Sequence, residues 1–330
     1  MSDNNDHIYF NINKSVSQDS VFNFDENRIS PILKNPSDYE LTVSRFSIPT
    51  LSIPIRFQVP ELFKISLEFN GTRIDKFVDY VSNSADAPYY KPYYAIWYYS
   101  EISEAVSNTL KDLHDQMVIA QPTFPPTKEC LMTYDSATDL FSVLAQTAYA
   151  TPNIKIIFNQ ELTELFSFQM FSNPTMLDPD ILEYLLLIKD NFNNSSSYGG
   201  GGYIMTQEYS TTGLWNISRN ILFETNSIPV ETELLGQSSL NVQRQVITDF
   251  NIDRSTRSDR SSIQFFPQGT LRWVDLNSSE ELRRIDIKVS WEDISGNIYP
   301  LFITGEDPLG IKIQFRKKNI AIFEEIQYNE

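Results

Sequence analysis

Ile285, Ile287, Val289 and Trp291 alternate with Asp286, Lys288, Ser290 and Glu292. A period of two belongs to a strand with one buried face and one wet face. A turn at 293–297 containing Ser-Gly-Asn follows, then the apolar run 298–303. Pro300 within that run marks an edge or a bulge, because proline supplies no N–H to a ladder. After a second turn at 304–310, Ile311, Ile313 and Phe315 alternate with Lys312, Gln314 and Arg316. The C-terminal third therefore reads as antiparallel sheet.

The same alternation recurs upstream. The turn signal Asn35-Pro36-Ser37-Asp38 precedes Tyr39, Leu41 and Val43. Phe63, Ile65, Leu67 and Phe69 form a strand that ends in Asn70-Gly71, a pair suited to a type I′ hairpin because both central positions need positive φ. The return strand is 72–78. Further strands are expected at 154–158, 203–209, 217–224, 242–249, 262–266 and 271–276, while 181–189 fits either a helix or a strand and is read as a strand.

The middle of the chain switches period. Ser100 is placed to cap a helix in which Ile102, Val106, Leu110, Leu113 and Met117 recur at helical spacing, up to the prolines at 122–126. A shorter helix is expected at 161–168. The stretch 191–202, NFNNSSSYGGGG, reads as a loop, and 254–261 as an exposed loop tip. Residues 1–30, rich in Asn, Asp and Ser with scattered aromatics, read as an extended arm that orders against a partner. Short antiparallel strands with long irregular connections suit a sandwich.

Charge narrows the function classes. Twenty-six basic and 43 acidic residues leave a net charge of -17, which opposes nonspecific nucleic-acid binding over most of the surface. Nucleic acid is at most a peripheral partner. The single Cys130 leaves no disulfide within the chain and points to a reducing compartment. The aliphatic run Leu185-Leu186-Leu187-Ile188 is far too short to span a membrane, and the polar start MSDNNDHIYF is not a secretory signal.

Candidate chemistry is sparse. Of the two histidines, His7 lies in the expected arm and His114 beside the apolar helix stripe. Nucleophile-elbow, zinc-protease and Walker patterns are missing; the glycines at 199–202 are followed by Tyr-Ile-Met-Thr with no lysine for a phosphate. Asp178 and Asp180 flank Pro179, a spacing that 43 acidic residues produce by chance. Asp249, Asn251 and Asp253 copy half of a calcium loop, but Arg254 and Arg260 stand where Gly and Glu are needed. No catalytic, cofactor or metal site is expected. The most unusual segment is PYYKPYYAIWYY at 88–99, in which Tyr89, Tyr90, Tyr93, Tyr94 and Trp97 are candidates for a subunit interface; internal packing and a ligand platform remain open as alternatives.

The segments 27–55, 214–234 and FFPQGTLRWVDLNSSEELRRIDIKVSWEDISGNIYPLFI resemble the penton or minor capsid proteins of polinton-like viruses and virophages, in the adenovirus-like double-stranded DNA virus lineage. The resemblance covers somewhat under half of the chain and carries no catalytic residue. It implies a mainly β fold: a single jelly-roll antiparallel β-sandwich with a smaller α/β insertion and extended terminal arms. On that expectation 1–30 is the N-terminal arm, 31–85 the first jelly-roll strands, 86–204 the insertion, 205–318 the remaining strands and 319–330 the C-terminal tail. It also implies a structural subunit of the virion, a homopentamer at icosahedral vertices beside major capsid protein neighbours, with a fibre or receptor as a further partner. Ile320, Ile322 and Phe323 of the tail are candidates to add a strand to another chain. The cluster Lys312, Arg316, Lys317 and Lys318 faces the genome, an acidic neighbour or solvent. Two other readings stay open: a receptor- or glycan-binding fibre module, and a subunit of a major-capsid-type capsomer.

Overall fold

The computed structural model describes residues 7–14, 20–49, 52–58, 61–79, 94–172, 182–189, 195–196, 201–235, 242–252, 262–265, 271–303 and 309–318. They fall into two compact units, one built from the stretches 1–53, 218–253 and 260–330, the other from 54–217.

In the first unit, eight strands among the described residues form two antiparallel sheets. They are β1 (His7–Lys14), β2 (Asn23–Asn27), β3 (Tyr39–Pro49), β4 (Ser218–Glu224), β5 (Val242–Asn251), β6 (Ser262–Phe265), β7 (Arg284–Asp293) and β8 (Leu309–Lys317). One sheet runs β1–β8–β3–β6 and the other β2–β7–β4–β5. The pairs β1–β8, β2–β7, β3–β6 and β4–β5 are those of one long hairpin wound on itself, with successive strands alternating between sheets except at its tip, where β4 and β5 share one, which is the jelly-roll topology. Short strands extend the edges: Thr232–Leu235 pairs with β5 and Ile298–Pro300 with β7, placing Pro300 at a sheet margin as its missing N–H requires.

The sheets meet through aromatic side chains. Phe46 of β3 lies 5.2 Å from Phe223 of β4 and 4.8 Å from Phe250 of β5, and Phe250 lies 4.2 Å from Phe265 of β6. Strand β3 fills this core from both halves only because of a bulge. Lys312 pairs with Arg45 and Ile313 with Val43, so Ser44 is the extra residue, and its hydroxyl donates to the Lys312 carbonyl at 3.2 Å. Leu41 and Val43 on one side and Phe46 and Ile48 on the other are all buried, a change of parity that an unbroken strand cannot provide.

Among its described residues the second unit holds two larger antiparallel sheets, one two-stranded sheet and a 22-residue helix, α1 (Tyr99–Ala120). One sheet orders its strands 170–172, 183–186, 154–159, 64–69 and 72–77; the other orders 195–196, 202–206, 140–146 and 131–135. Ile102, Val106, Leu110, Leu113 and Met117 are all buried in the core these elements share. Asn70 and Gly71 take φ of 47° and 80° at the hairpin between 64–69 and 72–77. Glu183 is buried and held by a fork from Arg73 at 2.8 and 2.5 Å, with Lys64 at 3.6 Å.

Several boundaries differ from the sequence reading. Within 1–30, β1 and β2 are sandwich strands instead of an arm; Ile8, Phe10 and Ile12 supply the alternation that pairs them with β8. The insertion spans 54–217 instead of 86–204, because 64–69 pairs with 154–159 and 202–206 pairs with 140–146. The expected helix at 161–168 is a single turn, Gln160–Thr163, capped by the Asn159 side chain. The tail 319–330 lies outside the described residues.

Candidate assembly interface

The Tyr-rich segment divides residue by residue. Tyr89, Tyr90 and Tyr93 lie outside the described residues. Tyr94 opens the strand Tyr94–Ile96, which pairs with Arg56–Gln58. Trp97 is half-buried, and its N–H donates to Glu101 Oε2 at 2.8 Å; the N–H of Tyr98 reaches the same oxygen at 3.1 Å. Glu101 thus covers the helix start, and Ser100, expected as the cap, sits inside the first turn with its carbonyl accepting from Ser103. Tyr98 points to solvent. Tyr99 is buried, donates its hydroxyl to the Thr212 carbonyl at 3.0 Å and packs its ring on Tyr134 and Phe141. Internal packing therefore accounts for Ile96 and Tyr99, both buried in the core of the second unit. Ile320, Ile322 and Phe323 lie outside the described residues.

The wet face of the β1–β8–β3–β6 sheet carries the basic cluster. Arg316 stacks 3.8 Å above the Trp273 ring and donates to Glu40 at 2.7 Å, while Lys318 lies 3.2 Å from Asp275. Lys317 is exposed. Lys312 places its ammonium 4.5 Å over the Tyr9 ring, directly across the ladder from Arg45. Beside them a groove of about 740 Å³ is lined by Asn11, Asn13, Ser47, Gln264 and Gly310. Arg45 was not among the sequence candidates: it stands far from Lys312 along the chain, and only strand pairing joins them.

The other candidates are accounted for structurally or lie elsewhere. His114 is buried with Nδ1 at 2.9 Å from the Tyr149 hydroxyl and its ring edge-on to Phe124; burial lowers its pKa, which favours the neutral ring. Cys130 is buried in the core, and burial pushes its thiol up, away from the reactive thiolate. Asp249 receives Arg272 at 2.9 Å, whereas Asp253, Asp178, Asp180, Gly199 and Gly200 fall outside the described residues. Among the described residues there is no group of three or more His, Cys, Asp or Glu arranged to hold a metal, and no helix long and apolar enough to cross a membrane. Arg56 lies over Phe63 and Trp215, at 5.5 and 5.6 Å, and burial lowers its pKa.

A jelly roll interrupted by one large insertion, with a polar grooved face and sequestered reactive groups, is the geometry of a building block. Residues 6–317 match the family model of the Sputnik minor capsid protein V18/19. The chain belongs to that family. Structural protein V19 of Sputnik virophage is 28% identical over 208 residues, which span 57% of this chain and 94% of that protein. Among solved structures, a chain of the Sputnik virophage at 3.5 Å by cryo-EM superposes with a TM-score of 0.72 at 24% identity, covering 95% of this chain and 98% of that one. The crystal structure of the mavirus penton protein gives 0.71 at 17% identity over 94% and 99% of the two chains. At these identities both structures establish a shared fold. This minor capsid protein is thus a structural component of a virion.

Proposed function

We propose that this minor capsid protein is a penton subunit, five copies of which close a ring at each icosahedral vertex among major capsid protein neighbours. The observation that carries this reading is the single jelly roll with its insertion between β3 and β4, matched in fold over nearly the whole chain by a penton protein. The role is structural, not catalytic. Candidate interface residues are Tyr89, Tyr90, Tyr93, Tyr94 and Trp97 on the insertion and Ile320, Ile322 and Phe323 on the tail, the latter by strand addition to a neighbour's sheet. Rings have a natural basis in such a contact, because head-to-tail pairing of unlike surfaces closes when the rotation allows it.

Light scattering coupled to size exclusion, followed by negative-stain imaging of the purified chain, tests the reading. A mass of five subunits and fivefold rings support it. A trimer would instead point to a capsomer, and a chain that stays monomeric at all accessible concentrations would count against self-assembly.

A further inference from the structure

The wet face of the β1–β8–β3–β6 sheet carries a feature that works against the fold. Lys312 and Arg45 are direct cross-strand partners, and like charges in that position repel. Among the described residues neither meets a carboxylate; the Lys312 ammonium settles over the Tyr9 ring instead. In a chain of net charge -17, an uncompensated cation pair set in register is out of character. The next row explains the space beside it: Gly310 has no side chain and Ser47 a short one, so a groove of about 740 Å³ opens there, walled by the amides of Asn11, Asn13 and Gln264. Two cations, several amide donors and an open floor form a receptor for carboxylates.

Resting on the self-assembly proposed above, we infer that this groove receives Glu324 and Glu325 from the C-terminal segment of a neighbouring copy. That segment, NIAIFEEIQYNE, carries Glu324, Glu325 and Glu330 and no basic residue. Strand β1 is the last strand of its sheet in the described pairing, and its residues Asn11 and Asn13 line the groove. A backbone added along β1 by Ile320–Phe323 carries the acidic pair that follows past the cations. Nucleic acid fits less well, since a phosphate backbone would have to approach a strongly acidic molecule through one small basic patch.

Three full-length variants test the assignment by light scattering over a range of salt. R45Q/K312Q and E324K/E325K are each expected to raise the concentration needed for half-assembly roughly tenfold or more. The exchanged variant R45E/K312E/E324K/E325K is expected to restore assembly to near the wild-type level. Misfolding is separable: R45Q/K312Q removes a repulsion together with the contact of Lys312 on Tyr9, effects of similar size and opposite sign, so its melting temperature stays near the wild-type value while its assembly falls. Unchanged assembly in R45Q/K312Q overturns the groove and leaves the self-assembly reading standing. Loss in R45Q/K312Q with none in E324K/E325K, or an exchange that restores nothing, overturns the tail as its occupant. A monomeric wild-type chain overturns both.

Discussion

Asp286 stands on the wet side of β7, yet it is only 4% exposed, because the loop after β4 folds over it. Its carboxylate accepts from the hydroxyls of Thr225 and Ser227, both at 2.7 Å, and from the N–H groups of Asn226 and Ser227. Burial pushes the carboxyl up, but these bonds outweigh it and hold the group below the usual range. A carboxylate with a lowered folded-state pKa contributes stability that is fully present above the unfolded value, about 3.9, and is lost as pH falls through the folded value. Asp286→Asn should cost roughly 2 kcal/mol near neutrality, and the gap to wild type should close as the pH falls below about 4; denaturant titrations at stepped pH would read both. From the sequence, Asp286 is only one more polar position in an alternating strand, since its partners come from a loop some sixty residues earlier. Glu183 presents the complementary case. Glu183→Gln leaves Arg73 with Asp75, at 2.7 Å, as its remaining carboxylate and Lys64 facing a neutral amide, and a loss of roughly 2 kcal/mol in unfolding free energy is expected, measurable by urea denaturation.

At the level of single elements, period was a good guide wherever an element is set by its own side chains. The stripe from Ile102 to Met117 gave α1, and Asn70-Gly71 gave its hairpin, because each depends on residues a few positions apart. The bulge at Ser44 left a trace as well: Tyr39, Leu41 and Val43 alternate in one parity and Phe46 and Ile48 in the other, but a change of phase does not reveal which partner strand absorbs it. Deleting Ser44 would turn either Leu41 and Val43 or Phe46 and Ile48 toward water. The expected outcome is insoluble protein, or a sandwich destabilised by well over 3 kcal/mol, checked by soluble yield and melting temperature. Strand β1 was missed for a different reason. Its Ile8, Phe10 and Ile12 alternate properly, but their Asn-rich surroundings read as a solvated arm, and what recruits them is a partner three hundred residues away. The assembly groove was half legible for the same reason: Lys312 belongs to a visible basic cluster, and Arg45 joins it only through the ladder.

Across the whole molecule, the insertion leaves and rejoins the chain at one place. The Ile217 N–H donates to the Ile55 carbonyl at 3.0 Å, so the ends of the second unit are adjacent and a single short connection replaces it. Residues 54–217 expressed alone should show their own cooperative melt, and the remainder joined by a short Gly-Ser linker should show another, both by calorimetry. Aggregation of the linked sandwich would mean that it needs the insertion to fold. The wound-hairpin pairing sets an order in time. Among the described residues the second unit is continuous in sequence, and its strands and helix are complete once residue 217 has been made. The sandwich is not: His7 waits for Arg316, and the sheet bearing the groove combines the first strand with the last. Contacts so distant along the chain form slowly and late. A nascent chain therefore completes the strands and helix of the insertion well before the sheet that bears the groove, which can close only once residues 309–317 have been made.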